Sequence, residues 1–226
     1  MQESTPARTA SVTVRAVIFD MDGTLVDSTG VVEQVWAEFA ADYDLDIAGI
    51  LAVSHGVQGI DTIRRFAPAD ADHAAIAADL MARELVRTDG VIGIPGAREF
   101  VASLPADAVA LATSATVELA ELRMGVAQIA MPAVSITAES VTRGKPDPEV
   151  FAVAAHRLGV DPRDTVVFED AVAGIRGALA AGCTVVVVGD LDDPITDGLI
   201  RIPDYSAVAA TTSIDTAGER RITITF

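Results

Sequence analysis

The sequence predicts an α/β fold, a mostly parallel sheet core with an inserted all-helical cap, and three observations predict it. Short β-branched runs recur along the chain, helical patterns lie between them, and residues 30–91 read as helical throughout. Strands that alternate with helices are joined by crossovers, which lay helices on both faces of a parallel sheet.

The runs Val14–Phe19 (VRAVIF), Ala108–Ala112 (AVALA), Thr165–Phe168 (TVVF) and Thr184–Val188 (TVVVV) read as strands, because a strand buried on both faces is continuously apolar. Ala133–Ile136 is a weaker fifth run, and the terminal Ile222–Phe226 (ITITF) alternates like an edge strand. Helices are predicted over Ala97–Leu104, Val117–Met124, Pro148–Leu158 and Val172–Ala181. The inserted block reads as Val31–Tyr43, a short piece near Ile50, Ile60–Phe66 and Ala69–Arg87, separated by Pro68 and glycine-containing turns. Its flanks Asp27–Gly30 and Thr88–Gly93 read as linkers. The chain thus divides into an α/β core (1–29 and 92–226) and a helical cap (30–91).

Composition narrows the function. Half the residues are hydrophobic, as expected of a packed globular chain. The net charge of −17 disfavours nucleic acid and anionic membranes as partners. It also means that a phosphorylated metabolite needs a local cation. The opening MQESTPARTASVTVR has no apolar run of targeting length and its first ten residues read as a polar leader, so the expectation is a cytoplasmic protein. One cysteine, Cys183, permits no intrachain disulfide and reads as a small buried hydrophobe. The basic residues are fifteen arginines and a single lysine, Lys145. A lysine that survives in so arginine-rich a chain suggests a place where a compact ammonium cannot be replaced by a guanidinium fork, with chance as the even alternative.

The chemistry sits at strand ends. Phe19-Asp20-Met21-Asp22-Gly23-Thr24-Leu25 follows the first strand, and ligands of open α/β sheets bind at the carboxyl ends of strands. Asp20 and Asp22 can face one crevice from a turning backbone, where two hard carboxylates suit Mg²⁺. Turn chemistry alone explains Asp22-Gly23 but not Asp20. Ala112-Thr113-Ser114 closes the second run, Gly144-Lys145-Pro146 lies in a loop, and Phe168-Glu169-Asp170 closes the fourth run ahead of Ala173-Gly174-Ile175. Each piece is common alone, and the ordered set of four is specific.

With these motifs the chain resembles the haloacid dehalogenase superfamily, over about Val14 to Gly189. The fold this implies is Rossmann-like, with the cap inserted after the first strand. Val53-Ser54-His55-Gly56, Phe66-Ala67-Pro68 and the Gly-Lys-Pro and Phe-Glu-Asp motifs are similar to the branch of glycerol-3-phosphatases and 2-deoxyglucose-6-phosphatases. The resemblance implies a Mg²⁺-dependent phosphomonoesterase acting on small sugar or polyol phosphates. Asp20 is then the nucleophile, Asp22 the general acid and base, and Lys145 the charge neutraliser. Thr113 and the Ser114 amide would hold phosphoryl oxygens. Asp20, Asp22 through its carbonyl, and Asp170 would bind the metal, with Glu169 a further ligand or a partner of metal-bound water.

The cap residues are harder to weigh. His55 and Gln58 are candidate substrate contacts, although a surface histidine is as well supported. Arg64 reads better as a solvated helix face, and so do the acids of Asp70–Asp79. His73 and His156 read as surface residues, Trp36 and Phe39 as core. Asp192, Asp193 and Asp197 are adequately explained by turns. A phosphomutase of the β-phosphoglucomutase type is the main rival, but the cap loop Gly56-Val57-Gln58-Gly59 lacks an arginine and the cap lacks a lysine. Asp22 argues against a carbon–halogen dehalogenase, and the intact site residues argue against a non-catalytic binding module.

Overall fold

The computed structural model describes residues 10–226, so most of the expected polar leader lies outside it. Two strands open the chain, β1 (Ser11–Val14) and β2 (Ala16–Phe19), followed by a two-residue β3 (Val26–Asp27). Four helices come next: α1 (Thr29–Asp42), α2 (Ile47–Ser54), α3 (Gly59–Phe66) and α4 (His73–Leu85). The chain returns through β4 (Ile92–Gly93), α5 (Ala97–Ser103), β5 (Val109–Ala112), α6 (Val117–Val126), β6 (Val134–Ile136) and α7 (Glu149–Arg157). It ends with β7 (Thr165–Glu169), α8 (Val172–Ala181), β8 (Thr184–Val188), β9 (Ile200–Ile202), β10 (Ala209–Ile214) and β11 (Arg220–Thr225).

Six strands form one parallel sheet in the order β6-β5-β2-β7-β8-β9. The first of them in the chain, β2, lies between β5 and β7, so the connections diverge from it in both directions. That divergence opens a crevice at its carboxyl end, where Asp20 stands. Apolar clusters cover both faces of the sheet: Phe19, Phe100, Phe168 and Tyr205 pack on one, Ile18, Phe151, Val167 and Ile175 on the other. The rings of Phe19 and Phe168 stack with centroids 5.1 Å apart. They immobilise β2 and β7 one and two residues before Asp20 and Asp170.

The helical segment has its own apolar cluster, centred on Val35, Phe39, Ile50, Ile63, Ile76 and Leu80. Asp46 and Asp72 cap α2 and α4 by accepting backbone N–H bonds, which satisfies amides that a helix N-terminus leaves unpaired. Entry and exit converge: β3 pairs antiparallel with β4, Val26 facing Gly93 and Asp27 facing Ile92. The two expected linkers therefore make a short ladder instead of independent loops.

Two strand expectations need correction. Val14–Phe19 is divided at Arg15, whose amide donates to the Asp164 carbonyl, and β1 departs to a second sheet. In that sheet, ordered β1-β11-β10, the terminal strand is central and not an edge. The alternation of ITITF reports one buried face, with Ile222 and Ile224 fully covered. Face burial and edge position are different properties. The mostly exposed, half-polar β10 (AATTSI) and the short β9 gave no strand signal.

Candidate active site

Four loops at the carboxyl end of the parallel sheet meet the helical segment around one cavity of about 420 Å³, a size that suits a small metabolite. Asp20, the residue after β2, is 4% exposed, and Lys145 is 2% exposed. The Lys145 ammonium donates to Asp20 Oδ1 at 2.5 Å and to Glu169 Oε1 at 2.7 Å. Burial alone would discharge a lysine, but the two carboxylates outweigh it and hold the ammonium above its ordinary pKa. Burial pushes the Asp20 carboxyl up to about 7 against the opposing pull of Lys145, with Glu169 and Asp22 adding repulsion. Asp170 is raised well above the usual carboxylate range by burial and then by Glu169 and Asp20.

These shifts describe a cluster with more negative charge than Lys145 alone balances. Asp20, Glu169 and Asp170 offer carboxylate oxygens lying within 4.8 Å of one another. All are hard donors of the kind that binds Mg²⁺. Both oxygens of Glu169 are nevertheless engaged: Oε1 by Lys145, Oε2 by the amides of Asp170 and Ala171 at 2.8 Å. Asp170 Oδ1 accepts from Thr24 Oγ1 at 3.0 Å.

Two glycines permit this density of charge. A Cβ on Gly174 would lie 1.5 Å from Glu169 Oε1, and one on Gly23 would lie 2.0 Å from Asp170 Oδ2. Any side chain at either position displaces a carboxylate. The glycine of Asp22-Gly23 and the glycine opening α8 are thus sites of close approach to the acids.

Thr113 follows β5 and is buried, and its hydroxyl accepts the Ala115 amide at 3.1 Å, which leaves its own O–H free to donate. The Ser114 hydroxyl instead donates to the Gly56 carbonyl of the helical segment at 2.8 Å. Gln58 Nε2 reaches the Ala138 carbonyl at 3.3 Å, and its side chain lies against Gly144 beside Lys145. The loop carrying Ser54, His55 and Gln58 is thereby docked on the core. His55 lines the cavity but is otherwise exposed. Arg64 points away and pairs with Asp61. Trp36 belongs to the apolar cluster of the helical segment and also forms cavity wall.

Three polar residues escaped the sequence reading. Asp22 Oδ1 accepts from Ser28 Oγ at 2.7 Å and pairs with Arg123 at 2.8 Å. Arg123 is 4% exposed, and its second nitrogen reaches Glu84 of α4 at 2.5 Å. Burial raises the Glu84 carboxyl and the Arg123 charge opposes that rise. A signal for both ionic residues did exist. Arg123 continues the buried face of Leu119 and Ala120, and Glu84 continues that of Ile76 and Leu80, each at i+4. A charged residue at the end of an apolar stripe needs a buried partner.

A family model for haloacid dehalogenase-like hydrolases matches residues 14–182. The chain belongs to this family. It is 39% identical over 178 residues to hexitol phosphatase A of Escherichia coli, covering 77% of this chain and 82% of that protein. It is 34% identical over 198 residues to glycerol-1-phosphate phosphohydrolase 1 of Saccharomyces cerevisiae, covering 80% and 78%. Among solved structures it superposes on CbbY from Rhodobacter sphaeroides in complex with phosphate, with a TM-score of 0.72 at 22% identity, covering 86% of this chain and 96% of that one. At that identity the likeness is one of fold.

Proposed function

We propose that the chain is a Mg²⁺-dependent phosphatase that hydrolyses small sugar or polyol phosphates through an aspartyl phosphate on Asp20. One observation carries the reading: a buried carboxylate charge-paired to the only lysine in the chain, in the wall of one cavity shared with Asp22, Thr113 and Asp170. The match to sugar and polyol phosphatases over more than three quarters of the chain supports the substrate class.

In this reading Asp20 attacks phosphorus, and its carboxylate character is maintained by the Lys145 ammonium at 2.5 Å. Thr113 donates its hydroxyl to a phosphoryl oxygen, and Ser114 contributes its amide because its hydroxyl is committed to Gly56. Asp22, oriented by Ser28 and Arg123, protonates the departing alkoxide and then takes a proton from the water that hydrolyses the acyl phosphate. The side chains of Asp20 and Asp170 and the carbonyl of Asp22 would hold Mg²⁺, which would supply electrostatic stabilisation to the transferring group. Glu169 acts here as the anchor of Lys145, since neither of its oxygens lacks a partner.

Residues 30–91 serve as a cap on a core formed by 1–29 and 92–226, and the docked Ser54–Gly59 loop is the part that meets substrate. In this reading the chain is an enzyme of small-molecule metabolism with the cytoplasmic location expected from its sequence. Among the described residues no helix is long and apolar enough to cross a membrane. Phosphate release from a panel of phosphomonoesters, with Mg²⁺ and with chelator, tests the proposal. Metal-dependent release that peaks on a polyol or sugar phosphate is expected. Conversion of β-glucose 1-phosphate to glucose 6-phosphate without release would replace hydrolysis by a mutase reaction.

A further inference from the structure

The cavity has two chemically different ends. Asp20, Asp170 and the nearby Lys145 crowd one end, where the phosphoryl group belongs under the proposed function. Beyond Asp22 lies the space for the leaving group. Among the described residues lining the cavity, Arg123 is the only arginine or lysine, whereas Asp20, Asp22, Glu84 and Asp170 all bear carboxylates. Arg123 is not available to a ligand as a free cation. One nitrogen serves Asp22 at 2.8 Å and another serves Glu84 at 2.5 Å, so Glu84 alone balances the guanidinium charge even while Asp22 holds the proton it delivers. The rest of the wall combines an apolar stretch of Val32, Trp36, Leu80, Met81 and Leu119 with His55 and uncharged polar groups such as Ser28, Gln58 and Thr116.

A leaving group with its own carboxylate or second phosphate would therefore enter a low-dielectric pocket without an unpaired cation beside Asp22. It would also lie near the Glu84 carboxylate, and a desolvated anion without a partner is strongly disfavoured. A neutral hydroxylated chain meets no such penalty, and its hydroxyls can donate to the Glu84 carboxylate.

We infer that Glu84 is the specificity-determining residue of this site: by occupying the Arg123 guanidinium from the helical segment, it restricts the leaving group to uncharged polyols. The inference rests on the phosphatase reading and deepens it, because it assigns rejection of anionic leaving groups to one carboxylate. Discrimination of this kind works by leaving the wrong substrate unpaired, and not by binding the right one more tightly.

Glycerol 3-phosphate and 3-phosphoglycerate test it, since they share a three-carbon skeleton and differ by a hydroxymethyl group against a carboxylate. Their kcat/KM ratio is measured with Mg²⁺ for the unaltered protein, Glu84→Gln and the double variant Glu84→Gln/Arg123→Gln. Glu84→Gln keeps an oxygen for Arg123 while removing the charge. It is expected to shift the ratio toward 3-phosphoglycerate by about tenfold or more, chiefly through KM. The double variant, with no guanidinium to capture a carboxylate, is expected to lose that gain. Glu84→Ala removes the oxygen as well as the charge and so frees the guanidinium outright, and thermal melting of every variant identifies any that has lost its fold. A ratio within twofold of the unaltered protein in folded Glu84→Gln and Glu84→Ala overturns the assignment of Glu84 while leaving the phosphatase reading intact. Absence of phosphate release from either substrate and from the wider panel by the unaltered protein takes down both.

Discussion

The carboxyl ends of β2, β5 and β7 and the helical segment face each other across one cavity, but they are held in place differently. On the core side, Asp20 and Glu169 are continuous with fully paired central strands, and the stacked rings of Phe19 and Phe168 fix them from below. On the other side, the polar side chains that join the segment to the core make four links: Ser114 to Gly56, Gln58 to Ala138, Thr116 to Met81 and Arg123 to Glu84. Reacting groups need sub-ångström positioning, and a sheet ladder provides it. A selecting wall must admit substrate and exclude water, and a few polar links can open and re-form. Substitutions in the two regions should therefore fail differently, the first in kcat and the second in KM and stability.

The largest effect is expected at Lys145. Lys145→Arg preserves charge but must fit a planar fork into a site 2% exposed, between two carboxylates placed for one nitrogen. Turnover should fall about 10³-fold or more, equivalent to about 4 kcal/mol in the barrier, with KM changed much less. A mild loss would mean that the ammonium is not part of the chemistry. Gly174→Ala comes next. Its methyl group would displace Glu169 and with it Lys145, so steady-state kinetics should show a fall in kcat of roughly 10²-fold, although Gly174 does not line the cavity.

The order of these two predictions reflects what could be read in the sequence. The motif acids are visible because they close apolar strands, and Lys145 because it is the single lysine of an arginine-rich chain. The reason for Gly174 was not, since it depends on the approach of α8 to an acid on a neighbouring element. Distance along the chain hides the Arg123–Glu84 pair in the same way, as its members lie 39 residues apart on different helices. The Asp20-Met21-Asp22-Gly23 turn was legible because its chemistry is local. The central place of β11 was not, because alternation reports a buried face and is silent about neighbours.

At the seam between the regions, Arg123→Gln leaves Asp22 and Glu84 without their shared partner. Breaking a buried ion pair costs about 3–5 kcal/mol, so thermal melting should fall by roughly 10 °C. Activity should fall too, because Asp22 loses one of its two anchors. An unchanged melting temperature would show that the pair adds nothing to the closed arrangement. The smallest effect is expected from Gln58→Ala, which removes one link of the docked loop. One hydrogen bond of about 1 kcal/mol corresponds to roughly a fivefold rise in KM with kcat preserved. A kcat defect there would shift Gln58 from the selecting wall into the chemistry.

The most direct test of the central claim compares phosphate release from glycerol 3-phosphate by the unaltered protein and by Asp20→Asn, each with Mg²⁺ and with chelator. Asp20→Asn is nearly isosteric, removes the attacking oxygen's charge and should leave the fold melting cooperatively. The account predicts release by the unaltered protein with metal alone, and none above background from the variant under either condition. Metal-dependent release by purified Asp20→Asn protein would contradict the assignment of Asp20 as nucleophile and, with it, the proposed mechanism.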